Sequence, residues 1–202
     1  MKTKMKSHGL LIVLSSPSGG GKTAIAHRLL AKDKRVVRSV SCTTRKPRSG
    51  EKDGRDYFFV TPAKFKSMVK RRLFLEWAKV HENFYGTPAH WVAEQRAKGK
   101  DVLFVIDVQG GKAIKRQTSD ALLIFVKPPS LAVLKQRLLG RKSESAETLK
   151  VRLGDAKWEM KEGKHYDRQV VNDRLAKAVS DVRKAIQDGR KKAALLGKGK
   201  KP

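Results

Sequence analysis

Apolar and polar residues fall along this chain in two kinds of block. Leu10 to Leu14, Asp101–Asp107 (DVLFVID) and Ala121–Lys127 (ALLIFVK) are near-continuous apolar runs, the pattern of short strands buried on both faces of a parallel sheet. Arg35–Ser41 and Gln169–Val171 read as two further strands. Between them apolar positions recur three and four apart. Helices are predicted from about Lys22 to Ala31 and near Pro88–Lys98, Gly111–Gln117, Leu131–Leu139, Ala146–Glu162 and Arg174–Lys192. This alternation specifies a three-layer α/β fold around a central parallel sheet.

The rhythm breaks in two places. Between Cys42 and Thr87, Asp56–Val60 and Leu73–Val80 read as short strands around a helix that starts after Thr61, which predicts a small α+β insertion. Gly140–Lys150 is polar and charged and joins a helix, the pattern of a mobile lid over about 140–162. After Leu196 the chain is rich in Gly and Lys and is expected to be disordered. The resulting partition is a core of 1–41 and 88–192, an insertion of 42–87 and a basic disordered tail of 193–202.

Composition narrows the class. A length of 202 residues fits a single domain with small insertions, and a hydrophobic fraction of 39% supports a sizeable core. The single cysteine, Cys42, excludes an internal disulfide framework and fits a reducing cytoplasm. The start MKTKMKSHGLLIVLSS mimics a secretory signal, but its apolar part of about five residues is short of the required 7–15. No run approaches a membrane span. The formal charge of +28 is far more than a phosphate-binding site needs. It grows at both ends, with Lys2, Lys4 and Lys6 at one and Arg190, Lys191, Lys192, Lys198, Lys200 and Lys201 at the other. A solvated basic surface and nonspecific nucleic-acid association both account for it; no aromatic-rich basic segment accompanies it.

The candidate chemistry begins where the first strand ends. Ser16-Pro17-Ser18-Gly19-Gly20-Gly21-Lys22-Thr23 is a Gly-rich turn that opens a helix. Backbone N–H groups there can converge on a phosphate chain, Lys22 can neutralise its charge and the Thr23 hydroxyl can ligate Mg²⁺. Ser16 stands where the full pattern has glycine, which predicts some backbone strain. An ordinary strand–helix turn is the plainer alternative. The insertion opens with SCTTRKPRSGE and continues to Tyr57. Pro47 restrains the backbone between Arg45 and Arg48, whose guanidinium forks suit a phosphate. Tyr57 adds a hydroxyl, and Glu76 is a carboxylate able to accept the paired N1–H and N2–H₂ donors of guanine.

With these residues the chain resembles the guanylate kinase family. SSPSGGGKT, SVSCTTRKPRSGEKDGRDYFFV, FLEWAKV, NFYGTP, VIDVQG, IFVKPPS, RLLGR with VRL, and VVND occur in the family's order, over roughly Gly9 to Gln187. The resemblance implies a P-loop fold with a GMP-binding insertion and a helical lid, and the reaction ATP + GMP ⇌ ADP + GDP with Mg²⁺ as cofactor. It implies that Arg45, Arg48, Tyr57 and Tyr85 hold the GMP phosphate, that Ser41, Glu76 and Thr87 read or support guanine, and that Glu51 orients the arginines. Asp107 matches an acid near guanine and the water shell of Mg²⁺. Arg137, Arg141 and Arg152 match arginines that close over the transferring phosphoryl, so with Lys22 and Arg45 they are the candidate catalytic residues. Asn172 and Asp173 fall at the adenine end of the ATP site, although both are also ordinary helix caps.

Plainer roles stand beside these. The arginines could be surface charges, Glu76 a partner for a nearby lysine, the tyrosines core-edge aromatics and Asp107 a strand-end cap. Trp77, Trp91 and Trp158 read as packing and Cys42 as a small buried residue. The five histidines show no metal spacing. Val105 stands two residues before Asp107, where the family often has a second acid. Three other functions fit parts of the pattern: a noncatalytic phosphopeptide-binding module, a same-fold kinase of a phosphorylated sugar, and a basic nucleic-acid binder. A monomer or a homodimer is expected, with no membrane partner.

Overall fold

The computed structural model describes residues 8–80, 82–140 and 146–198. In chain order its first elements are β1 (Leu11–Ser15), α1 (Lys22–Lys32), β2 (Val36–Arg38), β3 (Cys42–Thr43), β4 (Phe58–Phe59), α2 (Pro62–Lys70), β5 (Phe74–Val80) and β6 (Asn83–Pro88). They are followed by α3 (Ala89–Ala97), β7 (Asp101–Val105), α4 (Val108–Gln117), β8 (Leu122–Lys127), α5 (Leu131–Leu139), α6 (Ala146–Glu162), a 3₁₀ turn at Gly163–His165, β9 (Arg168–Val171) and α7 (Leu175–Lys198).

The main sheet is wholly parallel, in the order β2-β7-β1-β8-β9. Its strands are apolar throughout because both faces are covered. Ile12 and Leu14, with Leu103, Ile124 and Val126, face Ile25 and Leu29 of α1 and Val182 and Ile186 of α7. Their alternates Leu11, Val13, Val102, Phe104, Leu123 and Phe125 face Val92 of α3, Ile114 of α4 and Tyr166. Full burial of each large side chain contributes about 1.5–3 kcal/mol. β1 is the switch point, with β7 on one side and β8 on the other. The crevice beyond its carboxyl end is where such sheets bind ligands.

The insertion is a second sheet, β4-β3-β6-β5, with β3 antiparallel to β6 and β6 antiparallel to β5. The alternation pattern misses β6, because Gly86 and Pro88 read as breakers. Gly86 is needed there: a Cβ on it would lie 2.9 Å from the Trp77 Cβ across the pair. Phe65 of α2 stacks on Phe74 and Phe84, at 4.6 and 5.4 Å between ring centroids, and with Cys42 makes the insertion's own core. Leu134 and Leu138 of α5 close on Ala156, Leu149 and Leu153 of α6.

Several boundaries shift: the strand expected at Asp56–Val60 is only Phe58–Phe59, and α4, expected from Gly111, begins at Val108 behind its Asp107 cap. The strand expected at Arg35–Ser41 is only Val36–Arg38. The strand expected to reach Asp107 ends at Val105, because Asp107 caps α4, its Oδ1 accepting the Gly110 N–H at 2.8 Å. The tail expected to be disordered from 193 is helical through Lys198: Lys-Lys-Ala-Ala-Leu-Leu are strong helix formers that prolong a helix already anchored in the core. Residues 199–202 lie outside the described region.

At the end of the sheet where the strands begin, Asp101 is fully buried and joins distant segments. It accepts the Leu10 N–H at 2.8 Å and Nε of Arg190 at 2.7 Å, and Arg190 also pairs with Asp33 at 3.0 Å. Among the described residues no helix is long and apolar enough to cross a membrane.

Candidate active site

The loop after β1 turns on two left-handed glycines, Gly19 (φ 80°) and Gly21 (φ 96°). The strain expected at Ser16 is absent. Among described residues the only non-glycine with positive φ is Arg72, far from the loop at the turn between α2 and β5. Ser16 is instead fully buried, and its Oγ donates to the Pro17 carbonyl at 2.9 Å. The same carbonyl accepts the Gly20 N–H at 2.8 Å. A Cβ on Gly20 would stand 2.8 Å from that of Ser16 and 3.0 Å from the Pro17 carbonyl, so this position needs glycine.

Lys22 is the first residue of α1, and its Nζ lies 3.4 Å from the Ser16 carbonyl, folded back over the loop. Thr23 follows it, exposed in the first turn, where the helix dipole favours an anion. The loop is braced from behind. The buried Asn172 amide donates to the Gly20 carbonyl at 2.9 Å, and a Cβ on Gly21 would meet that amide at 2.2 Å. Asn172 thus touches the loop backbone directly, whereas Asp173 is exposed just ahead of α7. Tyr166 donates to Ser15 Oγ at 2.9 Å, and Ser15 donates to the Asp107 carbonyl at 3.1 Å, which ties β1 to the start of α4.

Across the crevice lies a cavity of about 660 Å³ between the two sheets, lined by Ser41, Tyr57, Glu76, Tyr85 and Asp107 among others. One wall is a chain of hydroxyls. Thr87 donates to Glu76 Oε1 at 2.7 Å, so Ser41, 3.1 Å from Thr87 Oγ1, must donate to it. Burial pushes the Glu76 carboxyl above the ordinary range, with the charge of Asp107 adding to the shift and the Thr87 bond opposing it. At the other end Glu51 joins the Arg45 guanidinium to the backbone of Arg48. One oxygen accepts Arg45 Nη2 at 2.8 Å and the other the Arg48 N–H at 2.7 Å. The Arg45 hydrogen bond is the main reason that the Glu51 carboxyl is held below its usual value. Arg45 lies over Tyr57, 5.5 Å from the ring centroid, and Tyr57 meets Tyr85 edge-on at 6.0 Å. Neither Arg45 nor Arg48 is among the residues that line the cavity; Arg45 reaches it only through its contact with Tyr57, and the Arg48 side chain is exposed.

A second cavity of about 500 Å³ covers the loop, lined by Ser18, Asp107, Gln109, Arg152, Asp155, Trp158 and Glu159. Asp107 and Gln109 line both, so the two cavities adjoin at the start of α4. Arg152 therefore stands over the loop. Arg137 lies behind it, Nη2 donating to the Asn172 carbonyl at 2.9 Å. Arg141 is outside the described residues. Two tryptophans expected to be packing are instead exposed on cavity walls: Trp77 at 49% and Trp158 at 43%. Trp91 does pack against the core.

Sequence reasoning passes over Arg38 and Glu159, which line these cavities without belonging to a quoted string, and over Gln109, which sits within VIDVQG but is given no role there. Glu159 accepts the Ser18 N–H, and its carboxyl is pushed up to about 7, chiefly by burial, against the opposing charge of Lys22. Its protonated form stabilises the fold; that contribution is complete below the unfolded value near 4.5 and is lost as pH rises through about 7. Glu159→Gln keeps an acceptor for Ser18 but has no proton to lose. The melting-temperature advantage of this variant over wild type is expected to grow between about pH 5 and pH 8. A constant difference across that range would contradict the shift.

The same chain order and architecture recur in known proteins. The family model for guanylate kinase matches residues 8–189. A guanylate kinase from Myxococcus xanthus is 49% identical over 88% of this chain and 86% of its own length, and one from Rickettsia typhi is 44% identical over 91% and 93%. The crystal structure of guanylate kinase from Anaplasma phagocytophilum superposes with a TM-score of 0.71 at 33% identity, over 91% of this chain and 87% of its own. With the Gly-rich loop, the braced arginines and the Glu76 hydroxyl chain around one crevice, these likenesses over nearly the whole length make the chain a member of the guanylate kinase family.

Proposed function

We propose that the chain transfers the terminal phosphoryl group of ATP to GMP, giving ADP and GDP. The observation that carries this reading is the pair of cavities that meet at Asp107 and Gln109, one over the phosphate loop and one ending on Glu76. In the proposed complex the triphosphate lies along Ser16–Thr23 beneath Arg152. GMP lies with its guanine N1–H and N2–H₂ on Glu76, supported by Thr87 and Ser41, and its phosphate toward Arg45, Tyr57 and Tyr85. Arg48 adds its charge from outside the cavity, and Glu51 holds the Arg45 guanidinium and the Arg48 backbone N–H. Asn172 shapes the loop, while Asp173 and the unseen Arg141 keep the adenine-side and lid roles that the family pattern implies.

The nucleophile is a GMP phosphate oxygen, already anionic, so no general base is needed. It bonds to the γ-phosphorus as the bond from that phosphorus to the β–γ bridging oxygen breaks, and the negative charge passes to the ADP β-phosphate. Catalysis is then alignment and charge neutralisation. Lys22, Arg152 and Arg137 act on the transferring group or on the loop that holds it, and Arg45 offsets repulsion between donor and acceptor. Closure of the insertion (42–87) and of the α5–α6 lid against the core would exclude water and suppress ATP hydrolysis.

The residues fit Mg²⁺. The Thr23 hydroxyl and the Asp107 carboxylate are hard oxygen donors, and only one Asp107 oxygen is committed to capping α4. Among the described residues no cluster of three or more His, Cys, Asp or Glu could hold the ion alone. Phosphates and water would therefore supply most of its ligands. The ion would neutralise charge on the β- and γ-phosphates. A coupled ADP-release assay with GMP, dGMP, AMP and UMP tests the assignment. Turnover with the guanine nucleotides and little with AMP or UMP is expected; comparable turnover with all four would remove guanine recognition from the site.

A further inference from the structure

The cleft uses few of the chain's cations, and its position leaves a second concentration of charge at the opposite end of the main sheet. There α1 ends at Lys32, and the turn into β2 carries Lys34 and Arg35. The turn from α3 into β7 carries Lys98 and Lys100. α7 reaches the same end, because Arg190 bonds both Asp101 and Asp33, and continues with Lys191 and Lys192. These segments touch one another. Lys100 Nζ donates to the Lys34 carbonyl at 2.9 Å, and Arg35 Nε donates to the Gly99 carbonyl at 3.2 Å.

Apart from the half-buried Asp188 beside Lys192, the acids at this pole are turned inward or engaged. Asp101 is fully buried, Asp33 is paired with Arg190 and Glu94 with Lys98. Lys32, Lys34 and Lys191 are exposed, and none has a carboxylate of the described residues within ion-pair distance; the same is true of Lys100. Helix dipoles explain part of this, since one cation in the last turn of a helix contributes about 0.3–1 kcal/mol. That accounts for Lys32, but not for Lys34 and Lys100, which lie in turns beyond the helix ends. Unpaired like charges held together repel, and a polyanion laid across them relieves that repulsion.

We infer that this pole is a docking face for duplex nucleic acid, held through its phosphate backbone and remote from the nucleotide cleft. Backbone contact is favoured over base recognition because the face offers cations without stacking platforms. Among the described residues the exposed tryptophans, Trp77 and Trp158, both line the cleft.

The test is fluorescence anisotropy of the full chain with labelled DNA and RNA duplexes of about 20 base pairs, titrated between about 50 and 200 mM KCl. Binding to both duplexes is expected, steeply salt-dependent and undiminished by saturating ATP and GMP. The triple variant Lys32→Gln, Lys34→Gln, Lys191→Gln should lower the slope of log K against log salt by about 2–3 and weaken binding about tenfold or more near 0.1 M. Its phosphotransfer rate and circular dichroism should match wild type. An unchanged slope in that variant overturns the inference. So does displacement of the duplex by ATP and GMP, which would place binding in the cleft. So does equal affinity and slope for a heparin fragment or a single strand, which would make the face a general anion sink.

Discussion

Lys22→Ala is expected to lower turnover by about a thousandfold, a loss of roughly 4 kcal/mol of transition-state stabilisation. The ammonium sits at the first residue of α1 and is folded back over the loop, 3.4 Å from the Ser16 carbonyl. It is preorganised where negative charge gathers on the transferring phosphoryl, and alanine has nothing to replace it. The fold should survive. The side chain is only half-buried, and the loop's shape rests on Gly19, Gly21 and the Asn172 brace. Removing Lys22 also removes the charge that opposes the upward shift of Glu159, so Glu159 should titrate still higher in the variant. Steady-state kinetics with thermal melts checks both parts. Turnover near the wild-type level in a folded variant would take the loop out of the mechanism.

Glu76→Ala is expected to cut kcat/KM for GMP by about a thousandfold while KM for ATP changes little. The asymmetry follows from position: Glu76 lines the acceptor cavity, and no wall of the loop cavity belongs to it. Glu76→Gln is the sharper variant. It preserves size and can still accept from Thr87, but its NH₂ would face the paired N–H donors of guanine, so GMP should remain weak. A variant that weakens ATP as much as GMP would mean that Glu76 acts through the fold and not through the base.

The legible part of this chain is what periodicity and local chemistry encode. The runs LLIVL, LFV and LLIFVK can only be strands covered on both faces, and the loop Gly19–Lys22 announces an anion site by its glycines. The illegible part depends on partners far away in sequence. Asn83–Pro88 holds two breakers, yet becomes a strand because β3 and β5 pair with it from both sides. Ser16, a local exception, reads as a defect, yet its Oγ bonds the Pro17 carbonyl and its φ is not positive. Trp77 and Trp158 read as packing, but the fold leaves them exposed on the cleft walls. Glu159 gives no signal at all; only the fold of α6 over the loop brings it to Ser18. The candidate site was recognisable as a set of short strings, while the bonds that hold it rigid, Glu51 apart, were not.

The two braces of the loop come from one short stretch late in the chain. Tyr166 and Asn172 bond Ser15 and the Gly20 carbonyl, spanning 151 and 152 residues. An excised first half of the protein would therefore carry the loop's sequence without its shape. During synthesis, the grip on a triphosphate can mature only after the ribosome has released that late stretch.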